Sequence, residues 1–255
     1  MNYLDLFHGI GGFALGAYWA GMKFENHYCS DIEPWCQKLY AQRFPDSIQL
    51  GDITKIKTED LPDGEWIITG GFPCQDISIA GKGAGIHGER SGLWFEYWRL
   101  INDLRPRYAI MENVGMLVHR GLREVLGSLA EIGYDAEWQT LRSCQFGLPH
   151  QRSRVWIIAY PEQAGRNRPM GERKIFIDRE WCAKKWGEGG KQFKLDIEQV
   201  APSKWRKTGE HNSRPLLVRN DDGIPGKLDR LEGLGNAIVP QIAELLFRRI
   251  FAKNS

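Results

Sequence analysis

Short apolar runs alternate with amphipathic stretches through the first 160 residues of the chain. Runs of four to seven residues bounded by glycine, proline or polar residues predict strands, and apolar positions three and four apart predict helices. The predicted strands are 3–7, 25–30, 48–51, 66–69, 108–111, 135–141 and 155–159, and the predicted helices are 14–20, 33–44, 93–104 and 120–132. Strands that alternate with helices in this way are typical of an α/β fold.

A glycine-rich turn, His8-Gly9-Ile10-Gly11-Gly12, connects the first strand to the first helix. Glycines at such a turn let the backbone approach a ligand closely, as in nucleotide-binding folds, and a tight βα connection is the alternative interpretation. Asp31 and Asp52 end the second and third strands, so both carboxylates are expected at the same edge of the sheet. They suit the hydroxyls of a ribose, although aspartates at these positions also cap turns.

Cys74 follows the predicted strand 66–69 and precedes a glycine-rich loop. Strand ends are where a rigid sheet presents reactive groups to a crevice, and Pro73 fixes the approach of the chain. The position is typical of a nucleophile, although single cysteines are also commonly inert core residues. Residues 81–92 carry five glycines. Such a composition favours a lid that closes over a substrate, and a surface insertion is the alternative.

Strand 108–111 leads to Glu112, which we expect at the same edge of the sheet as Cys74. Partial burial would raise the pKa of this acid and let it hold a proton near neutral pH, whereas a capping or ion-paired acid is the alternative. Arg152 and Arg154 alternate, so both would point to one face of an extended segment. Guanidinium groups suit a phosphate or a base carbonyl, and surface solubility is the other interpretation.

Residues 166–219 have a basic composition that the total charge of +2 conceals. They contain 14 Lys and Arg against 7 Asp and Glu, a net of +7, and the rest of the chain has 20 against 25, a net of −5. Three tryptophans are interleaved with the basic residues, as expected of a surface that contacts nucleic acid. A small lobe with a tryptophan core and a solvated shell would have the same pattern.

The composition argues against several classes of protein. The five cysteines include no Cys-x-x-Cys pair, and no Gly-x-x-x-x-Gly-Lys motif is present, so neither a zinc site nor ATP chemistry is expected. The N-terminus lacks the features of a signal peptide, and no apolar run reaches membrane-spanning length. We therefore expect a soluble, monomeric protein of a reducing cytosol, with no metal and no membrane partner.

Six motifs occur in an order that resembles the cytosine-5 DNA methyltransferases of prokaryotes and phages. They are 5–13 (DLFHGIGGF), 51–53 (GDI), 71–75 (GFPCQ), 112–114 (ENV), 152–154 (RSR) and 235–240 (GNAIVP). Each is weak alone, but the ordered set is specific. The resemblance implies a Rossmann-like S-adenosylmethionine-dependent methyltransferase sheet with helices on both faces in residues 1–160, a small irregular target-recognition lobe in 161–232, and a C-terminal helix in 233–255 that packs back on the catalytic domain.

The resemblance also implies roles for individual residues. Cys74 would be the nucleophile, Glu112 the acid that engages ring nitrogen 3, and Arg152 and Arg154 the arginines that orient the substrate. The implied cofactor-binding residues are Phe7, Gly9, Gly11, Gly12, Asp31, Ile32, Asp52, Ile53, Pro73, Leu93 and Asn236, and the expected DNA contacts are Gln75, Ser78, Lys82 and Arg90.

The implied reaction transfers a methyl group from S-adenosylmethionine to carbon 5 of a flipped-out cytosine in duplex DNA, through a covalent Cys74 adduct. Its setting would be the cytoplasm of a prokaryotic or phage-infected cell, as in restriction-modification. A cytosine-5 methyltransferase of transfer RNA would have the same architecture. A catalytically silent DNA-binding regulator would be expected to lose Cys74 or Glu112, and both are present. A nicotinamide-dependent enzyme would share the glycine turn and leave these two residues unexplained.

Overall fold

The computed structural model of the protein describes residues 1–73, 92–146, 148, 152–162 and 237–251. Its strands are β1 Asn2–Leu6, β2 His27–Ser30, β3 Ile48–Gln49, β4 Trp66–Gly70, β5 Tyr108–Val114, β6 Tyr134–Arg142 and β7 Ser153–Pro161. They form one seven-stranded sheet in the order β3-β2-β1-β4-β5-β7-β6. The strands from β3 to β5 in this order pair in parallel, whereas β7 pairs antiparallel with both β5 and β6.

Helices lie between these strands in the order expected of an α/β chain. They are α1 Gly12–Trp19, α2 Pro34–Arg43, α3 Leu93–Leu104, α4 Leu117–Arg120, α5 Leu122–Glu131 and α6 Pro240–Phe251, with 3-10 turns at Ile53–Lys55, Thr58–Asp60 and Ser143–Phe146. No helix in the described ranges is long and apolar enough to cross a lipid bilayer.

The central parallel strands β1 and β4 are buried on both faces, which explains their apolar runs. Every residue of β1 is buried, with Tyr3 packing in the core on one face of the sheet and Leu4 in the core on the other. Helices α1, α2 and α6 supply apolar side chains to the first core, and α3, α4 and α5 supply them to the second. This arrangement confirms the predicted α/β sheet with helices on both faces.

The C-terminal helix packs closely on α1, at two glycines. A Cβ atom on Gly12 would lie 2.5 Å from the carbonyl oxygen of Ile238, and one on Gly16 would lie 2.6 Å from Cβ of Ala243. Glycine is required here because side chains do not tolerate such distances. Residues 163–236, which hold most of the predicted recognition lobe, lie outside the described residues. The division at residues 160 and 232 therefore stays a prediction.

Most elements differ by one or two residues at an end from their predictions, and three differences have a structural reason. The helix predicted over 120–132 is α5, which begins at Leu122, and the extended Gly121 separates it from α4, a short helix that was not predicted. β5 continues to Val114 instead of ending at residue 111, because β7 pairs with it to that point. β3 is two residues long instead of four, since Gly51 has a φ of +71° and turns the chain out of the sheet.

Candidate active site

The carboxyl ends of the parallel strands form one row across the sheet. Leu6 of β1 lies in register with Ser30 of β2 and Gly70 of β4, and Gly70 lies in register with Met111 of β5. The strand order reverses between β1 and β4, and ligands of open α/β sheets bind beside the strand ends at such a switch point. Asp31 and Glu112, which come directly after residues of this row, therefore lie at one edge of the sheet.

Glu112 lies in β5 one residue past this row and is only 6% exposed. Its Oε1 atom lies 3.1 Å from Nε of Arg154 and 3.8 Å from Nη2 of Arg152. Burial raises the pKa of Glu112 to about 7, although the charges of Arg154 and Arg152 lower it. The carboxyl group is therefore able to hold or release a proton near neutral pH. The two arginines that the sequence predicts on one face share this carboxylate as their partner.

The second oxygen of Glu112 faces the segment that leads into Cys74. A Cβ atom on Gly71 would lie 3.4 Å from Oε2 of Glu112 and 3.4 Å from Cδ1 of Ile238. The glycine thus leaves room beside Oε2, while Oε1 is taken by the arginines. Pro73 is exposed and is the last described residue before Cys74.

Asn113, the next residue of β5, is hydrogen-bonded to the segment that leads into Cys74. It is 3% exposed, and its Nδ2 donates to the carbonyl oxygen of Phe72 at 2.7 Å. Its own Oδ1 accepts from the backbone N–H of Val114 at 2.8 Å. Both polar atoms of the amide are therefore satisfied, and the backbone two residues before Cys74 is fixed to the strand that carries Glu112.

The turn after β1 is held by residues that follow β2 or belong to α2. The backbone N–H of Gly9 donates to Oδ2 of Asp31 at 2.8 Å, and Nη1 of Arg43 donates to the carbonyl oxygen of Ile10 at 2.7 Å. Gly9 has a φ of +50°, and no atom lies within 4 Å of the position that its Cβ would take. Gly9 therefore faces open space beside Asp31, as a close approach to a ligand requires.

The other two glycines of this turn face protein atoms. A Cβ atom on Gly11 would lie 2.7 Å from the Phe44 ring, and the one on Gly12 would meet Ile238. Packing is thus a second reason for glycine at both positions, and the predicted role of Gly11 and Gly12 at the cofactor stays a prediction. Their backbones remain part of the turn.

Asp31 and Asp52 both accept hydrogen bonds from the turn that follows them, and their role toward a ribose stays a prediction. Oδ1 of Asp31 accepts from the backbone N–H of Glu33 at 2.9 Å, just before α2. Oδ1 of Asp52 accepts from the backbone N–H of Thr54 at 3.0 Å and from its hydroxyl at 2.8 Å. These hydrogen bonds lower the pKa of Asp52. Both aspartates cap the following turn, and a carboxylate with two oxygens retains further acceptor sites.

The apolar cofactor positions divide by exposure. Ile32 is 64% exposed, so its side chain is available to cover a flat ligand, whereas Ile53 is 3% exposed and packs in the core. Ile53 is therefore able to meet a ligand only through its backbone. Phe7 and Leu93 are half-buried, and Phe7 adopts a φ of +50° at the end of β1.

The sequence analysis did not single out Asp5, a buried acid beside the candidate site. Asp5 is fully buried in β1, directly below the glycine turn, and its carboxylate accepts from the hydroxyls of Thr69 and Tyr40. The available signal was an acid inside an otherwise apolar strand, which demands a hydrogen-bonding reason.

Six predicted site residues lie outside the described residues, and their roles stay predictions. They are Cys74, Gln75, Ser78, Lys82, Arg90 and Asn236. Within the described ranges, no cluster of three or more His, Cys, Asp or Glu side chains is arranged to hold a metal ion.

A family described as C-5 cytosine-specific DNA methylase matches residues 1–212 of the chain. This span contains five of the six motifs and every predicted site residue that the structure describes. The chain belongs to the C-5 cytosine-specific DNA methylase family.

Relatives of the chain include type II methyltransferases of bacteria. The type II methyltransferase M1.ScrFI of Lactococcus lactis subsp. cremoris is 38% identical over 168 residues, which cover 64% of this chain and 42% of the relative. M.NgoBI of Neisseria gonorrhoeae is 34% identical over 186 residues, which cover 66% of this chain and 56% of the relative. The chain thus spans about half the length of the curated relatives it matches.

A solved structure shares the fold of the chain. The DNMT2 protein of Spodoptera frugiperda has a TM-score of 0.63 at 16% identity, and the match covers 98% of this chain and 99% of that one. At this identity the likeness shows the fold alone.

Proposed function

We propose that the chain transfers a methyl group from S-adenosylmethionine to carbon 5 of a cytosine in duplex DNA, with Cys74 as the nucleophile. The observation that carries this proposal is the state of Glu112. Its carboxyl group is buried, has a pKa raised to about 7, and is held on Oε1 by Arg154 and Arg152. Its Oε2 faces Gly71, three residues before Cys74.

The chemistry requires both groups because carbon 5 of cytosine is a poor nucleophile. Addition of the Cys74 thiolate to carbon 6, with Glu112 donating a hydrogen bond or a proton to ring nitrogen 3, would convert the ring into an enamine. Bound S-adenosylmethionine would supply the methyl group to carbon 5. Loss of the carbon 5 proton and elimination of Cys74 would then restore the ring. Arg152 and Arg154 would hold Glu112 and reach the base carbonyl.

The crevice suits the proposed cofactor at three points. Gly9 leaves open space at the switch point, Asp31 offers acceptors for a ribose, and the exposed side chain of Ile32 offers an apolar surface for an adenine. Asp52 would accept a further hydrogen bond from the nucleoside, and Phe7, Ile53, Pro73, Leu93 and Asn236 would complete the site. These roles follow from the family and are consistent with the described side chains.

The DNA contacts belong to the glycine loop and the basic segment. A stacked base does not reach a pocket of this kind, so the cytosine would be flipped out at a cost of roughly a few kcal/mol. Gln75, Ser78, Lys82 and Arg90 would contact the DNA around it, and residues 166–219, with a net charge of +7, would bind phosphates and read the target. We expect a monomer that acts in the cytoplasm of a prokaryotic or phage-infected cell.

Methyl transfer from tritium-labelled cofactor tests the proposal. We expect label to enter duplex DNA of mixed sequence and not transfer RNA, and bisulfite sequencing of the same DNA to reveal one target sequence. Label in RNA and none in DNA would favour the transfer RNA alternative, and no transfer to either with intact DNA binding would favour a silent regulator. The Cys74→Ser protein should bind DNA and transfer nothing.

A further inference from the structure

A chain of buried polar side chains ends on Asp5. The hydroxyl of Thr69 donates to Oδ1 of Asp5 at 2.7 Å, and the hydroxyl of Tyr40 donates to Oδ2 at 3.0 Å. The backbone N–H of Ala14, in the first turn of α1, also donates to this carboxylate. Tyr3 lies 2.7 Å from Thr69, and His27 lies 2.8 Å from Tyr40.

The hydrogen-bond partners of Asp5 favour the ionised form of its carboxylate. The single hydroxyl hydrogen of Thr69 points to Asp5, so Tyr3 must donate to Thr69. The hydroxyl hydrogen of Tyr40 also points to Asp5, so Nε2 of His27 must donate to Tyr40. Asp5 accepts every one of these bonds and donates none, and hydrogen bonds to the charged form of a carboxylate favour ionisation. Burial acts in the opposite direction and raises the pKa of Asp5 to about 7.

Asp5 also accepts from a backbone N–H of the kind that other nucleotide-binding folds direct at an anionic ligand. A helix that follows a glycine turn carries unpaired N–H groups and positive partial charge at its N-terminus, and dinucleotide-binding folds direct these at a pyrophosphate. In this chain the backbone N–H of Ala14 donates a hydrogen bond to Asp5. Gly11 of the turn packs against the ring of Tyr40, with its Cβ position 3.1 Å from Cδ2, so Asp5 lies directly behind the turn.

Two carboxylates, Asp5 and Asp31, lie beside the turn, together with the guanidinium of Arg43, which donates to the carbonyl oxygen of Ile10. Asp31 accepts from Gly9, and its charge raises the pKa of Asp5. The other titratable groups that face Asp5 are Tyr3, Tyr40, Tyr97 and Cys29, all with raised pKa values. Within the described ranges no Lys or Arg forms an ion pair with Asp5.

We infer that Asp5 is a specificity-determining residue for the cofactor: its buried negative charge favours the cationic sulfonium of S-adenosylmethionine over the neutral thioether of S-adenosylhomocysteine. The inference rests on the proposed function, because it takes this cofactor pair as given. The two ligands differ by one methyl group and one positive charge, so the ratio of their dissociation constants reports the local electrostatic potential.

Titration calorimetry of wild type and Asp5→Asn with both ligands at pH 8 and low salt tests the inference. We expect the substitution to weaken binding of S-adenosylmethionine by about tenfold more than binding of S-adenosylhomocysteine, since a unit charge interacts appreciably over several ångströms in a low-dielectric site. Asp135→Asn removes one exposed carboxylate from β6 and should leave the ratio unchanged. An unchanged ratio in folded Asp5→Asn would overturn the inference.

Thr69→Val covers the case in which Asp5→Asn does not fold. This variant keeps the carboxyl group and removes one hydrogen-bond donor to it, so the pKa of Asp5 should rise. As the pH is lowered, the preference for the sulfonium should therefore be lost at a higher pH than in wild type. A ratio that follows the same pH dependence in both proteins would contradict the inference. Wild-type protein that binds neither ligand would contradict the proposed function itself, whereas wild type that binds both with an unaltered ratio in the variants contradicts the role of Asp5 alone.

Discussion

At the scale of single residues, Glu112 is the group whose environment most directly sets the chemistry. The protein buries a carboxyl group beside two guanidinium groups of partial exposure, and burial outweighs the two charges in setting its pKa. The result is an acid that is half protonated near neutral pH. A solvent-exposed glutamate would be ionised there and unable to donate to ring nitrogen 3.

Glu112→Gln removes the proton of this acid while preserving its shape. General acid-base groups contribute roughly 10² to 10⁴ to rate, so we expect methyl transfer to slow by about that factor with little change in cofactor affinity. The wild-type rate should decrease as the pH rises through about 7, because Glu112 loses its proton there. The rate of the variant should not show this decrease. Single-turnover kinetics from pH 6 to 9 measure both. Exposed Glu65→Gln is the control, and wild-type kinetics in Glu112→Gln would contradict this role.

The same pKa makes a prediction about stability. Glu112 has a pKa of about 7 when folded and 4.5 as its ordinary value, so the folded state keeps a proton that the unfolded chain releases between these values. The contribution of Glu112 to the free energy of unfolding should therefore decrease as the pH rises from 4.5 to about 7, and should be constant above pH 7. Urea denaturation should show a weaker decline over this window in Glu112→Gln than in wild type. An equal decline in both proteins would show that Glu112 titrates normally.

Asn113 would affect the reaction indirectly, because it binds the carbonyl group of Phe72 and so positions the chain before Cys74. Asn113→Ala leaves that carbonyl without its 2.7 Å donor and frees the segment that leads into Cys74. We expect unfolding to become easier by about 1–3 kcal/mol and the rate of the covalent step to fall, with cofactor affinity preserved. Denaturation and rapid-quench kinetics measure these quantities. Asn102→Ala, on the exposed side of α3, is the control, and equal rates in the two variants would exclude a positioning role.

At the scale of elements, the contact of α1 with the C-terminal segment depends on two glycines. Gly12→Ala and Gly16→Ala would place methyl groups 2.5 Å and 2.6 Å from backbone or side-chain atoms of residues 238–243. Overpacking of this kind typically costs about 1–3 kcal/mol, so the melting temperature should fall. Gly127 in α5 has no atom within 4 Å of its Cβ position, so Gly127→Ala should stabilise by up to about 1 kcal/mol. Equal effects at all three positions would contradict the packing.

The elements also show what sequence periodicity predicts well. Buried parallel strands such as β1 and β4 have uninterrupted apolar runs, and α3 was predicted with its observed bounds because its apolar spacing is regular. The full length of β5 was not predicted, since it depends on pairing with β7 some forty residues later in the chain. Local patterns do not contain such pairing.

The candidate site was likewise predicted only in part from the sequence. Arg152 and Arg154 were predicted on one face from their alternation, and Glu112 from its place after a strand; the structure brings all three together. The role of Asp5 depends on donors from β4, α1 and α2, which no spacing in the sequence connects. The packing reason for Gly12 likewise lies at the other end of the chain, in Ile238.

At the scale of the whole molecule, charge is divided between a basic segment and an acidic remainder. Residues 166–219 carry +7 and the other residues −5, so DNA affinity should depend mainly on the basic segment. Replacing Lys204, Arg206 and Lys207 together by Gln should weaken DNA binding and reduce the slope of log affinity against log salt by about 0.9 for each phosphate that the variant no longer neutralises. Fluorescence anisotropy over a salt series measures this. An unchanged slope, with cofactor affinity unchanged, would exclude these residues from the DNA interface.

The central claim is that Cys74 attacks a cytosine with the help of Glu112, and covalent capture tests it most directly. DNA of mixed sequence in which every cytosine is 5-fluorocytosine contains all target contexts, and fluorine at carbon 5 does not leave as a proton does, so the final elimination is blocked. With S-adenosylmethionine present, the wild-type protein should form an adduct with this DNA that survives a denaturing gel. The adduct should be absent with Cys74→Ser and slow to form with Glu112→Gln. Methyl transfer to ordinary DNA without any adduct, or an adduct that persists in Cys74→Ser, would contradict the account.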